Sequence, residues 1–176
     1  MTSALHVVDS DLSRDIVLTA VPASAELHER LQVADLIILP IQGQLGDPGA
    51  VFTQEVRELY RFLGKSAGAL RVEVASESDS PPELVQHGFL IELGAFLVTQ
   101  VGLPLLVGLL GSYVWQRIRD RAAPSEGTRV RCRIHVSTEH GDSKLLEFDG
   151  PASQFKSLSD VVEQLCLDQS RQKDDM

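Results

Sequence analysis

From Leu93 to Trp115 the chain carries no charged side chain, a run of 23 residues (93 to 115 inclusive). About 20 apolar residues suffice to cross a bilayer as a helix. No other feature limits the fold as strongly. Glu92 closes the run on one side, and Arg117, Arg119 and Arg121 close it on the other. The sequence therefore predicts a long apolar helical element over residues 84–120.

The flanks read as soluble sequence. Ala34 to Ile41 is an apolar run of strand length, and its lack of alternation predicts a strand covered on both faces. Thr53 to Leu63 reads as a helix with Val56, Leu59, Tyr60 and Leu63 on one stripe and Gly64 as its C-terminal cap. Leu70 to Ala75 alternates as a strand. Residues 33–75 thus form strand, helix, strand. Ser76 to Glu83 is a Pro-containing linker, and a second linker follows Arg121.

Thr128 to Ser137 alternates most cleanly. Val130, Cys132, Ile134 and Val136 face one way; Arg129, Arg131, Arg133 and His135 face the other. A turn over residues 139–142 leads to Leu145–Phe148, which predicts a hairpin. Ser157 to Leu167 reads as a helix with Leu158, Val161, Val162 and Leu165 as its stripe and Ser157 with Asp160 as a capping box. Residues 128–167 thus form strand, strand, helix, and residues 168–176 are a polar tail that frays. Residues 1–32 read as an N-terminal extension, with a strand at Ile16–Val21 and a helix at Ala25–Gln32 capped by Ser24. The start lacks the basic residues and apolar core of a signal peptide.

Each flank is about 40 residues, near the size below which a domain usually needs staples. Joined, they make one α+β domain: a small mixed sheet with flanking helices, interrupted by the apolar element. A single membrane crossing would separate the halves. A helical hairpin or a bent helix that never crosses avoids this, and Gly102-Leu103-Pro104 supplies the break, since Pro is tolerated in a helix's first turn. The small residues Gly94, Gly102, Gly108, Gly111 and Ser112 allow close packing of neighbouring backbones; Gly108 and Ser112 have small-xxx-small spacing. With Pro104 and Trp115 they are the candidate residues for membrane docking or self-association. Tyr113, Trp115 and the arginines fit either an interfacial anchor that puts the C-terminal end in the cytoplasm or a solvated helix end.

Net charge is −9, which disfavours nucleic acid as a partner. Cys132 and Cys166 both sit at apolar-periodic positions and read as buried thiols in a reducing setting. Gly43, Gly46 and Gly49 follow a strand, but the loop lacks the Lys-Ser/Thr of a phosphate loop and carries Asp47. His6, His28, His87, His135 and His140 show no metal spacing. Asp9 with Asp11 reads as a solvated end, and His87 with Glu92 marks where water begins. The expectation is no enzyme, no cofactor and no metal. Arg129, Arg131, Arg133 and His135 are candidates for gripping an acidic partner or lipid headgroups; a salt-bridged outer face is the favoured reading.

The element order, with EVRELYRFL as a helix, LRVEV as a strand, and a Gly-rich apolar helix ending in WQRIRDR before a hairpin and a short helix, resembles the effector-associated constant component family of bacterial conflict systems over residues 35–167. The resemblance implies a small non-enzymatic adaptor encoded with varied effectors. Two functions are carried forward: an adaptor or assembly component that self-associates or docks at a membrane, and a membrane-perturbing effector whose apolar helices insert on triggering. The first places the protein at a membrane with its soluble parts in the cytoplasm, or wholly in the cytoplasm.

Overall fold

A computed structural model describes residues 4–20, 24–45, 47, 49–66, 68, 70–86, 88–122, 127–137 and 142–164. The calls on Gly46, His87, His140, Leu165, Cys166 and the 168–176 tail lie outside them. The elements are β1 (Leu5–Ser10), α1 (Arg14–Ala20), α2 (Ala25–Val33), β2 (Leu36–Leu39), β3 (Phe52–Thr53), α3 (Val56–Ser66), β4 (Val72–Val74), β5 (Glu83–Leu84), β6 (Leu90–Thr99), α4 (Leu103–Asp120), β7 (Arg129–Ser137) and β8 (Ser143–Pro151). Residues 157–164 form a further helix, α5.

Six strands make one mixed sheet in the order β1-β8-β7-β6-β2-β4, and β3 pairs with β5 in parallel beside it. β2 lies antiparallel to β6, and β6 lies parallel to β7. The segments on either side of the apolar run therefore share one sheet, as their small size requires. Parallel neighbours need a crossover, and α4 is that crossover.

The apolar run is not one helical element. Leu90–Thr99 is a strand at the sheet's centre, and only Leu103–Asp120 is helix. The reason is two-sided burial combined with a bulge. Phe96 and Val98 join the core beneath α3 and α4, while Ala95 and Leu97 face the opposite core with Val17, Leu27 and Leu31. The register against β7 shifts between Glu92 and Gly94, so Ile91 and Leu93 share the side of Phe96 and Val98. An extra residue breaks the period-two signal, and a strand apolar on both faces shows none. Gly94 has φ +105°, a conformation open mainly to glycine.

The expected break is present. A 3₁₀ turn, Gln100–Gly102, leads from β6 into α4, and Pro104 stands in the helix's first turn. At Gly102 a Cβ would meet Val98 Cγ2 at 3.1 Å, so a side chain there would crowd the reversal and press on Val98.

Several expectations are corrected. The strand expected over Ile16–Val21 is helix as far as Ala20, within α1 (Arg14–Ala20), and Val21 lies outside the described residues. Residues 4–20 and 24–32 are no appendage, because β1 forms a sheet edge against β8 and α1 with α2 covers β2 and β6. Phe52–Thr53 pairs with β5, so α3 starts at Val56; it runs past Gly64 to Ser66, and Tyr60 is exposed. Glu83, assigned to a linker, is in β5. Ser157 lies inside α5's first turn and donates to the Gln154 carbonyl at 2.6 Å, so it does not cap. By contrast, Ser24 caps α2 by accepting from the Leu27 amide, and Leu27 and Leu31 are buried.

Candidate functional site

α4 has two faces. Inward, Leu103, Leu106, Val107, Leu110, Tyr113, Val114 and Ile118 are buried and pack with the sheet in the main core. Outward, Pro104, Leu105, Gly108, Ser112, Trp115, Gln116 and Arg119 are exposed, with Val101 beside them on the preceding turn. Val101 is 85% exposed, Trp115 59% and Leu105 45%. Ordinary amphipathic helices put charge on this side; here no charge appears before Arg117.

Of the sequence-predicted association residues, Pro104, Gly108, Ser112 and Trp115 belong to this outward face, and Gly111 is half-buried beside it. Gly94 and Gly102 do not: one shapes the β6 bulge and the other the buried turn. Nothing lies within 4 Å of where a Cβ at Gly108 or Gly111 would stand. The Ser112 hydroxyl donates to the Gly108 carbonyl at 3.1 Å, so its polarity is satisfied inside the helix. Next to Trp115 an open hollow of about 580 Å³ is lined by Phe62, Ser112, Gln116, Ile118, Arg119 and Ala122.

α4 is held to α3 by a buried charge cluster. Glu55, at the N-cap position of α3 with its carbonyl bonded to the Leu59 amide, is 1% exposed. Its carboxylate accepts from the Tyr113 hydroxyl at 2.6 Å and pairs with Arg117 at 2.9 Å and with Arg121. Arg117 also pairs with Glu58 at 2.7 Å. Burial, then the bond to Glu55, raises the Tyr113 hydroxyl above its ordinary value. Two of the three arginines after Trp115 are thus committed to Glu55. No local pattern signals this cluster, whose partners lie 58 to 66 residues apart.

The basic stripe lies on the opposite face, over the part of the sheet that α1 and α2 leave open. Cross-strand register brings Arg131 opposite Asp149 and Arg133 opposite Glu147. Asp149 pairs with Arg129 at 2.6 Å and with Arg131 at 3.0 Å. Burial raises the Asp149 carboxyl, but hydrogen bonds from Arg129 and Arg131 outweigh it and leave a net lowering. Glu92, buried at the bulge, takes bonds from Gln86 at 3.2 Å and Arg131 at 3.4 Å. Its burial depends on this network rather than on the edge of a greasy helix. The His135 ring bonds Ser10 at 2.9 Å; burial, then the charge of Arg133, lowers its pKa to about 4. On the inner face, burial and then the Glu92 charge push the Cys132 thiol up to about 12.

Other candidates resolve locally. The Asp47 carboxylate accepts from the Gly49 amide at 2.9 Å, which occupies a donor that a phosphate would need. A hollow of about 330 Å³ opens at the C-terminal ends of β6 and β7 beside Arg14 and Asp35. Arg14 there bonds the Leu31 and Ala34 carbonyls at the end of α2, and Asp35 pairs with Arg71. Among the described residues no three His, Cys, Asp or Glu side chains are grouped to hold a metal.

Fold and site define a mixed-sheet α+β domain whose crossover helix belongs half to the core and half to the surface. Residues Gln100–Asp120 are long and apolar enough to cross a membrane by length and composition alone, a test that core helices of soluble proteins also pass. Comparisons with protein-family models, curated proteins and solved structures give no match for this chain.

Proposed function

We propose that this chain is a non-catalytic adaptor or assembly component that docks a protein through the outward face of α4. The carrying observation is that face itself: Val101, Leu105 and Trp115 stand out in solvent around Gly108 and Ser112. A contiguous exposed apolar patch marks an interaction surface, whereas single exposed apolar residues do not. The resemblance to conflict-system adaptors agrees with this role.

Protein docking is favoured over membrane insertion by the way α4 is tied down. Its two ends continue into paired strands, and Glu55 clamps Tyr113, Arg117 and Arg121. Withdrawing it into a bilayer would strip cover from Phe96, Val98 and Ile134 and leave Glu55 without partners.

A photo-crosslinking residue placed at Leu105 tests the reading in cells, with Val8 on the exposed β1 edge as control. The expected result is a discrete protein adduct from position 105 and none from position 8. Vesicle flotation of the wild type with no protein adduct at 105 would overturn the reading and favour the membrane.

A further inference from the structure

We infer that the hollow of about 330 Å³ at the C-terminal ends of β6 and β7 binds a small organic monocarboxylate. Its carboxylate pairs with Arg14, and its apolar body lies against Ile37, Leu97 and Val98. The site meets the docking surface only at Val101 and does not rest on the docking reading.

Charge supplies the first argument. Five arginines among the described residues are half-buried: Arg14, Arg117, Arg121, Arg131 and Arg133. The last four each pair with a carboxylate. Arg14 has no such partner among the described residues, in a chain with 25 acidic side chains against 16 Lys and Arg. Its NH2 donates to the Leu31 carbonyl at 3.2 Å and to the Ala34 carbonyl. Those bonds fix the guanidinium in place without neutralising it. NH1 is left uncommitted, and Nε is buried without an acceptor. A cation partly withdrawn from water is costly unless an opposite charge meets it. Asp35, at the rim, does not supply that charge. Its carboxylate accepts from the Arg71 amide at 2.8 Å and pairs with the Arg71 side chain.

Topology supplies the second. β6 and β7 run parallel, joined by α4 on one face of the sheet, while α1 and α2 cover the other. The two layers part beyond the strand ends, which is where open sheets with parallel strands take up ligands. Arg14 reaches the hollow from the α1 layer, and Thr99 and Gln100 reach it from the turn into α4. Register sets Thr99 beside Ser137, and Ser137 beside Ser143, on one face. Thr99 and Ser137 line the hollow, and neither hydroxyl has a hydrogen-bond partner among the described residues. Ser143 is buried with its hydroxyl unpartnered. A guanidinium and free hydroxyls thus converge on one opening, a donor set suited to an oxyanion.

The walls set the class. One cation with Asp35 nearby favours a single negative charge over the double charge of phosphate. Ile37, Leu97 and Val98 offer nothing to a second polar group, and the volume is near the lower end of the ligand-pocket range, about 300 Å³. That leaves room for one small acid with an apolar body.

Benzoate is the probe and benzamide its neutral counterpart, read on the whole chain through backbone amide and arginine Nε–H NMR signals. Benzoate should give saturable shifts at Thr99, Gln100, Ser137 and Arg14, with a Kd of about 1 mM or tighter. Acetate, which lacks the apolar body, and benzamide, which lacks the charge, should each bind at least about tenfold more weakly. Arg14→Gln should weaken benzoate by about tenfold or more. Should that variant fail to fold, Thr99→Val leaves the anchor on α2 intact and should weaken benzoate by about threefold. Benzamide binding as tightly as benzoate, or no saturable shift with benzoate, would overturn the site. Acetate equal to benzoate, or phosphate saturating the same signals more tightly, would overturn the monocarboxylate class. None of these outcomes bears on the adduct expected at position 105, so the docking reading is tested apart from this one.

Discussion

β6 and α4 come from one charge-free run and end in opposite situations. β6 is covered on both faces, and its residues from Ile91 to Val98 are all buried. α4 is covered on one face and presents the other to solvent. The difference follows from place in the fold. A central strand is flanked by a layer on each side, whereas a crossover helix has the sheet on one side only. Apolar residues in β6 are fully explained by the core; those on the outside of α4 are not.

The largest test of this contrast is Phe96→Ala. Phe96 is fully buried between β2 and β7, and such a deletion should cost about 3–5 kcal/mol in denaturant unfolding. A cost below about 1 kcal/mol would mean that this face of β6 is not packed as described.

Next is Glu55→Gln, which tests what holds the inner face of α4 in place. Breaking a buried pair by removing one partner costs about 3–5 kcal/mol. Arg117 and Arg121 are partly exposed and Arg117 keeps Glu58, so about 2–3 kcal/mol is expected. Tyr113→Phe in the same background should add less than it does alone, because the two share one bond.

The third test uses acid. His135 stands opposite Leu97 of β6, and its folded pKa near 4 lies below the ordinary value of about 6.5. Above pH 6.5 the ring is neutral in both states and stability is full. As pH falls toward 4 the unfolded chain takes up the proton first, so stability is lost across that window. Discounted for the partial exposure of the ring, the loss is about 2 kcal/mol. His135→Gln should remove this part of the slope; an unchanged slope between pH 6.5 and 4 would show that the ring is not held neutral.

How much of this could be read in advance depends on whether a segment has a solvent side. β7 was legible because Arg129, Arg131 and Arg133 alternate against Val130, Cys132 and Ile134. α2 was legible through its Ser24 cap. β6 was not, since burial on both faces erases contrast and the bulge at Gly94 shifts its phase. α1 is hard to read because the β-branched Ile16, Val17 and Thr19 favour strand locally, while one buried residue, Val17, anchors it as helix. Of the site, Gly108, Ser112 and Trp115 were visible as a spacing. The Glu55 cluster was invisible because its members meet only through the tertiary fold.

Gly94→Ala sharpens the account of the bulge. The residue sits at φ +105°, and an added Cβ would stand 3.4 Å from Thr53 Cγ2, which is ordinary contact. Backbone strain rather than crowding should therefore set the cost, at about 1–2 kcal/mol. Thr53→Ala should not rescue it. Rescue would mean that crowding, not φ, is what glycine avoids there.

The smallest expected effect bears most on function. Trp115→Ala should change unfolding free energy of the isolated chain by no more than about 0.5 kcal/mol, as exposed substitutions do. With the docked protein present the same substitution should lower the apparent stability relative to wild type, because anything that binds only the folded state stabilises it by mass action. The two regimes separate a side chain that supports the fold from one that supports a partner. The same cost with and without the docked protein would place Trp115 with Phe96, as part of the core. A gap that opens when the docked protein is added would place it on an interface, and would make the outer face of α4 the one portion of the charge-free run that folding alone does not account for.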